Sequence, residues 1–441
     1  MAAQENFLSS RAYLNLSYKH LEEHLDSDEF NFGSINDHLP YSDLNVWLPD
    51  DSFILRADRA FNAYRLSEIR SLSFLSSRID SQGPKEGIHN DFRHDRYDHS
   101  LVAAMVMDAI LRRNNITGRD YHLGVVAALT HDLATPAGGD AVKYLDPENL
   151  HEETHWQEML TEESLVFLAD HDLSPDDVQE VIENKGVLGE ILDLADRLTY
   201  TMKDVHALLG FLEQQPSDDV SKVLDEDRLV GNLYRDIQLD PKTGRPFCND
   251  PGRLENFLKL RAFMHYNLYM NPTTAGRDWV VAKFAGPYYA GDNPPTEERP
   301  LTPTLLRKWT DTDFIKFLCE KYQLPQYPYD FFYHTFSAWK PSFLSFETVE
   351  EAQKEFKAIQ QDSYNIALSV VSRHGFSTGD QYLTKDDNGN IMPFKDAKPK
   401  IAELLTAVSD ATKQTHLFYV APEDQSQIAN LIRQERAKGV L

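Results

Sequence analysis

The chain of 441 residues is short of cysteine, of basic side chains and of long apolar runs. Its two cysteines, Cys248 and Cys319, form no CxxC pair, which excludes a disulfide scaffold and a zinc ribbon and is typical of a reducing cytoplasm. The chain has 44 basic and 70 acidic residues, which gives a net charge of -26. This excess of negative charge disfavours binding to extended nucleic acid or to an anionic membrane.

No apolar run approaches the roughly 20 residues that cross a bilayer, so we expect no membrane span. The opening MAAQENFLSSRAYLNL lacks a charged segment followed by an apolar core, so we expect no signal peptide either. A hydrophobic content of 41% is sufficient for a globular core. These features predict a cytoplasmic globular protein, and they leave room for a local basic pocket that binds a small phosphorylated ligand.

Apolar residues recur mostly with helical spacing, which predicts a mostly α fold. In SPDDVQEVIE, for example, Ser174 and Pro175 form a typical helix start. The predicted helices cover 56–80, 99–113, 121–132, 151–170, 175–184, 187–213 and 253–270.

After about residue 275 proline, tyrosine and phenylalanine become frequent, and we expect an α+β extension there. It would contain helices near 346–373 and over 423–437, and a hairpin with a two-residue loop at Asn388-Gly389. The predicted organisation is an N-terminal segment (1–55), a helical core (56–275) and an aromatic-rich C-terminal subdomain (276–441).

The stretch LTHDLATPAGGD ends an apolar helix on His131 and Asp132, two adjacent residues that can both bind a cation. An imidazole nitrogen and a carboxylate oxygen together suit Mn, Fe, Zn or Mg. Further ligands would come from neighbouring helices, and His99 and Asp196 are the candidates. Asp196 begins an i, i+4, i+8 stripe with Tyr200 and Asp204 at the edge of an apolar face, where a buried carboxylate needs a cation.

Taken singly, each of these residues has a simpler interpretation. Short His-Asp pairs are common, and a second one, His171-Asp172, is predicted to lie in a loop before a capped helix. His99 alone is typical of a helix cap, and the Asp196 stripe alone is typical of a solvated helix face.

The order of the motifs resembles the HD-domain superfamily of metal-dependent phosphohydrolases. RLSEIRSLSFL (65–75) and RHDRYDHSL (93–101) are similar to the "RLRxIxQLG" and "HxRFEHSLG" elements of the deoxynucleoside triphosphate triphosphohydrolases. LTHDLATPAGGD resembles their "HDxGHxPFxH", ADRLTYTMKD their Asp-x3-Tyr-x3-Asp element, and RAFMHYNLY (261–269) faintly their "VYxHK". The resemblance covers roughly residues 56–270 and implies an HD-domain helical bundle that forms an oligomer.

The resemblance also implies a role for each matching residue. Arg96 would contact a substrate phosphate, Tyr200 would stack beside the sugar, and Asp204 would accept a hydrogen bond from its 3′-hydroxyl. Ser71 and Leu72 would also line the substrate site. The implied ligands of one divalent ion, Mn, Fe, Mg, Zn or Ni, are His99, His131, Asp132 and Asp196. Such an ion lowers the pKa of water from about 15.7 to about 7, which yields a hydroxide that attacks phosphorus.

Several positions depart from the family pattern. Two histidines that would help to protonate the leaving group are replaced by Thr135 and Asp140. Asp140 could serve as the acid if its pKa were raised, or as an outer ligand, and His151 or His155 could supply the missing acid instead.

Two further departures concern the substrate. Ser71 replaces a glutamine and Tyr266 replaces a lysine of the family pattern, which weakens the expected recognition of sugar and triphosphate. The sequence therefore supports hydrolysis more firmly than it supports a triphosphate as the substrate.

Two alternatives stay open, and a third is disfavoured. The protein could be a binuclear HD phosphoesterase that uses histidines between the His-Asp pair and the last aspartate, where His151, His155 and His171 lie. It could be a catalytically weak nucleotide sensor. A purely structural protein would leave four ordered metal-type residues unexplained.

Overall fold

The computed structural model describes residues 52–69, 95–213, 233–265, 269, 272–324, 342–361, 366–372, 375–379, 381–424 and 426–438. Helices dominate these residues and small sheets accompany them, which confirms the predicted mostly α fold with an α+β extension. The α-helices are α1 (Phe53–Phe61), α2 (Arg96–Arg113), α3 (Gly118–Thr130), α4 (Asp140–Lys143), α5 (Glu162–Asp170), α6 (Pro175–Ile182), α7 (Gly186–Glu213), α8 (Pro251–Met264), α9 (Pro272–Ala285), α10 (Pro303–Lys308), α11 (Asp311–Lys321), α12 (Val349–Gln361), α13 (Phe394–Ala397), α14 (Pro399–Thr412) and α15 (Gln427–Ala437).

The strands form two small sheets. They are β1 (Ile237–Leu239), β2 (Pro246–Cys248), β3 (Ser342–Phe346), β4 (Ile366–Ser372), β5 (Leu383–Lys385), β6 (Ile391–Pro393) and β7 (Thr415–Val420). One sheet has the order β1-β2-β5-β6, in which only β2 and β5 run parallel. The other has the order β3-β7-β4 and is antiparallel throughout, with Leu417 of β7 opposite Leu344 and Val370.

The long helices follow the sequence patterns closely. The predictions over 99–113 and 187–213 are confirmed by α2 and α7, and those over 121–132 and 175–184 by α3 and α6. The helix predicted over 151–170 is only partly correct, because residues 153–159 form a 3₁₀ segment. Thr161 and Ser164 then cap each other reciprocally and start α5 as a separate helix.

Two predictions in the C-terminal region differ from the structure, because tertiary contacts decide the conformation there. The helix expected near 346–373 is present as α12, but the prediction is wrong over residues 366–372, which form β4. Strand β7 offers β4 a buried pairing partner, and periodicity alone does not separate a short apolar strand from a helix segment. The hairpin is confirmed, but its loop is longer than two residues, since Lys385 pairs with Ile391 and Gly389 adopts φ +82°.

The remaining helix predictions concern the two ends of the predicted core and the tail. The helix predicted over 56–80 corresponds to α1 and a 3₁₀ segment over 63–68, and residues 70–80 lie outside the described part. The expectations over 253–270 and 423–437 correspond to α8 and α15.

The described residues form two apolar clusters in the interior. The first joins α1–α3 with α5–α8 around side chains such as Trp156 and Phe257. The second joins α4, α9, α11, β7 and α15 around Phe284, Phe314 and Phe418. The domain limits given above stay predictions. In the described ranges, no helix has both the length and the apolar character needed to cross a membrane.

Candidate metal centre

Three helices of the first cluster bring the predicted metal ligands together. Helix α2 packs against α3, and α7 packs against both. Asp95 caps α2 by accepting a hydrogen bond from the amide of Asp98 at 2.8 Å, so His99 lies in the first turn and is only 2% exposed. Helix α3 ends at Thr130, so His131 and Asp132 leave the helix end at the point where α7 passes.

The ligand atoms of these residues converge. Nε2 of His99 lies 3.2 Å from Nε2 of His131, and both nitrogens lie 3.7 Å from Oδ2 of Asp132. His99, His131 and Asp132 form a buried group that could hold a metal ion. Oδ1 of Asp196 on α7 is 2.9 Å from the His99 nitrogen and 3.3 Å from the His131 nitrogen. The structure therefore brings together all four predicted ligands.

These separations fit a divalent ion. Bonds of about 2.1 Å place neighbouring donors about 3.0 Å apart in octahedral geometry and about 3.4 Å apart in tetrahedral geometry. Nδ1 of His131 lies 2.8 Å from the carbonyl oxygen of Ala128, and a protonated Nδ1 donates there and leaves the Nε2 lone pair for a cation. The mixed nitrogen and oxygen donors suit a first-row transition metal better than calcium.

The charges of the centre favour a bound cation. Burial disfavours the charged form of His131, but Asp132 and Asp196 outweigh it and raise the pKa of His131 to about 10. Burial likewise opposes ionisation of the two carboxylates, yet Arg96 lowers the pKa of Asp132 and the two histidines lower that of Asp196. The two carboxylates stay ionised. Their negative charge favours either a proton on His131 or a metal ion bound between the side chains.

Arg96 connects the centre to a row of alternating charges. Its Nη1 donates to both carboxylate oxygens of Asp132 at 3.2 and 3.0 Å, and its Nη2 lies 3.4 Å from Oδ2 of Asp140. Lys143 Nζ lies 2.8 Å from Oδ1 of Asp140 and 2.7 Å from Oε1 of Glu152. Although partial burial favours the neutral acid, Lys143 and Arg96 lower the pKa of Asp140. The structure therefore does not provide the raised pKa that a proton-donor role for Asp140 requires.

The turn between His131 and Asp140 is buried. Residues 131–139 all lie in the interior. Gly138 has φ +85°, and its amide donates to Oδ1 of Asp311 at 2.7 Å. A Cβ on Gly138 would lie 3.0 Å from the ring of Phe314. The glycine thus allows close packing against α11.

A cavity of about 550 Å³ opens beside the metal ligands. The predicted site residues that line it are Arg96, His99, His131, Asp132, Asp140, Asp196, Tyr200 and Asp204. Nε of Arg261 donates to the Tyr200 hydroxyl at 2.9 Å, and the hydroxyl of Tyr269 donates to Asp204. The Asp196–Tyr200–Asp204 stripe therefore faces a cavity and not bulk solvent.

The candidate acids His151 and His155 do not line this cavity. His151 is exposed, and Nδ1 of His155 lies 2.7 Å from Oε1 of Glu158. Ser71, Leu72 and Tyr266 lie outside the described residues, so their expected roles stay predictions.

Sequence reasoning missed several residues of the cavity wall. Tyr269 of the wall, and Arg261, which donates to the Tyr200 hydroxyl, belong to the faintly matching RAFMHYNLY element, which was the available signal for them. Lys143 follows the His-Asp motif by about ten residues and carried no such signal. The cavity residues not foreseen are Lys143, Tyr144, Pro147, Glu152, Glu153, His265, Tyr269 and Asp278.

Comparison with known proteins identifies the fold but no sequence family. No protein-family model matches the chain, and no curated protein matches it in sequence. A solved hypothetical protein from Aquifex aeolicus is similar in structure with a TM-score of 0.57 and 16% identity, over 86% of this chain and 95% of its own. A phosphohydrolase from Bacteroides thetaiotaomicron is similar with a TM-score of 0.56 and 13% identity, over 84% of this chain and 96% of its own. At these identities the likeness concerns the fold.

Proposed function

We propose that this protein is a metal-dependent phosphohydrolase of the HD-domain superfamily that acts on a nucleotide, with deoxynucleoside triphosphates as the first substrates to test. The observation that carries the proposal is the buried group of His99, His131 and Asp132 beside a cavity, with Oδ1 of Asp196 lying 2.9 and 3.3 Å from the two histidine nitrogens. The motif order and the fold shared with a phosphohydrolase support it.

The chemistry expected of the metal is specific. A divalent ion held by these four residues lowers the pKa of a water molecule and withdraws charge from a phosphoryl oxygen. A single ion fits the site better than two, because none of His151, His155 and His171, which the binuclear alternative would use, lines the cavity, and His171 packs edge-on against Phe53 and Phe167.

The protein's own residues prepare the site in three ways. The Arg96 guanidinium holds the Asp132 carboxylate in place and faces the cavity, where it is positioned to contact a phosphoryl oxygen. Tyr200, held by Arg261, and Asp204, held by Tyr269, offer a ring and a carboxylate to the nucleoside. The burial of His99 and Asp132 excludes water from one side of the centre and strengthens these electrostatic interactions.

The second His-Asp pair of the chain provides a matched control. We would compare His131→Gln with Asp132→Asn against His171→Gln with Asp172→Asn. Asn suits the latter position because Asp172 has φ +55°, where asparagine is tolerated. Each protein is loaded with Mn²⁺ and incubated with nucleoside tri-, di- and monophosphates, and the products are separated as tripolyphosphate, pyrophosphate and orthophosphate.

We expect the wild type and the 171/172 variant to bind the ion and release product, and the 131/132 variant to do neither while keeping its helical circular dichroism. Full activity in the 131/132 variant would refute the metal centre. Tripolyphosphate as product would support the triphosphohydrolase branch, whereas orthophosphate from another ester would assign a different branch.

The nucleotide sensor remains the second candidate because one observation favours it. Among the described residues, Asp140 is held in its ionised form and neither His151 nor His155 reaches the cavity. Metal and nucleotide binding without any product would support the sensor and refute the hydrolase.

A further inference from the structure

Lys143 lies at the end of the cavity that is bounded by α4. It is the last residue of α4, and 23% of its side chain is exposed. Its ammonium group lines the same cavity as the metal ligands His131 and Asp132. A cation in this position is notable because the wall also carries the carboxylates of Glu153, Asp204 and Asp278.

The ammonium of Lys143 is oriented by two carboxylates and still has a donor to offer. Its contacts to Asp140 at 2.8 Å and to Glu152 at 2.7 Å occupy two of its three N–H groups. Glu152 is only 8% exposed, and its Oε2 finds no partner among the described residues. Burial opposes the charged form of Lys143, but Asp140 and Glu152 outweigh it and raise its pKa, so the ammonium remains charged at neutral pH.

The other cation at this end of the cavity is already engaged. Arg96 donates to both oxygens of Asp132 and approaches Asp140, so from this position it can contact only a phosphoryl oxygen that lies beside these carboxylates, next to the metal centre. Lys143 stands one carboxylate further from the metal centre, because Asp140 separates it from Arg96. The ammonium is therefore placed for a phosphate beyond the one that faces the metal.

We propose that Lys143 binds a non-reacting phosphate of the substrate, so that the site selects nucleoside di- or triphosphates over monophosphates. This inference rests on the proposed function for the place of the reacting phosphate. Asp140 and Glu152 act as positioning residues that keep the ammonium at the cavity wall. A phosphate chain that contacts Arg96 and Lys143 together would meet the only two Arg or Lys side chains that line this cavity in the described part of the chain.

The test is the binding of inorganic tripolyphosphate to the Mn²⁺-loaded protein by titration calorimetry. Lys143→Met removes the charge, and Lys143→Arg keeps it. Lys259→Met is the matched control, because Lys259 is 5% exposed and contacts Glu255 at 2.6 Å in a similar Lys–Glu pair away from the cavity. Chelation of the ion by tripolyphosphate in solution is the same for every variant, so ratios of affinity report on the side chain.

We expect Lys143→Met to weaken tripolyphosphate binding about 10- to 100-fold, the usual range for one charge-assisted hydrogen bond. Lys143→Arg should stay within about threefold of the wild type, and Lys259→Met should match it. Mn²⁺ affinity should be the same in all variants. If Lys143→Met does not fold, Lys143→Met with Glu152→Gln removes the buried counter-charge as well and should show the same loss.

Equal tripolyphosphate affinity in Lys143→Met and wild type would overturn the proposal, even if the variant were less stable. The outcome is separable from the proposed function. A wild type that hydrolyses no nucleotide refutes the phosphohydrolase while the titration still measures Lys143. Conversely, an active enzyme whose KM for triphosphates is unchanged by Lys143→Met refutes only the role of Lys143.

Discussion

Metal binding should release a proton from His131, and this coupling makes metal affinity depend on pH. In the metal-free protein the pKa of His131 is about 10, because the carboxylates of Asp132 and Asp196 stabilise the imidazolium against the effect of burial. A metal ion needs the lone pair of Nε2, so the proton must leave. Because the raised pKa keeps His131 protonated below about pH 10, metal affinity falls as the pH falls.

The size of the effect follows from this pKa. Each pH unit below about 10 costs a factor of ten in affinity, or about 1.4 kcal/mol, for one displaced proton. Between about pH 8 and about pH 6.5 the affinity for Mn²⁺ should therefore drop about 30-fold, which corresponds to about 2 kcal/mol. At neutral pH the binding of one ion should release about one proton.

Titration calorimetry in two buffers of different ionisation enthalpy measures the number of protons directly. His131→Gln should abolish both the released proton and most of the affinity. His171→Gln should behave as the wild type, because burial and neighbouring Arg56 lower the pKa of His171 and it lies away from the cluster. An affinity that is constant over this pH range, or binding without proton release, would refute the charge arrangement described for the centre.

Three further predictions concern residues around the site and the C-terminal region. Arg261→Met removes the donor to the Tyr200 hydroxyl and should lower kcat/KM about tenfold with Mn²⁺ affinity intact; a variant that turns over as the wild type would exclude Arg261 from substrate positioning. Gly138→Ala combines φ +85° with a Cβ 3.0 Å from Phe314, so the free energy of unfolding in urea should fall by about 2 kcal/mol or more, and an unchanged midpoint would contradict the tight turn. Gly389→Ala has φ +82° but open space, so it should cost only about 1 kcal/mol in the same assay; a loss as large as that of Gly138→Ala would show that backbone conformation alone sets both values.

Local sequence patterns were sufficient where a segment is long and bounded by clear end signals. Helix α7 runs over residues predicted from its apolar spacing, and α6 begins at the predicted Ser174 and Pro175. The short segment 366–372 could not be predicted in this way. Its apolar residues are compatible with a helix or a strand, and pairing with β7 decides between them.

In the candidate site, too, the sequence indicates the residues and the tertiary structure decides their arrangement. His99, His131, Asp132 and Asp196 could be selected from the sequence, because their types and order are restrictive when taken together. That Asp196 comes within 3.3 Å of both histidine nitrogens depends on the way α7 packs across α2 and α3.

The sequence by itself determined the helical character of the chain, the capped helix starts and the candidate ligands, because these depend on side-chain type and on spacing within one segment. The tertiary structure alone decided the surroundings of the ligands. It paired Lys143 with Glu152, bound Arg96 to Asp132, and buried the glycine turn against α11. These contacts join segments that are separate in the chain, and an electrostatic or packing energy depends on distance in space and not on distance along the sequence.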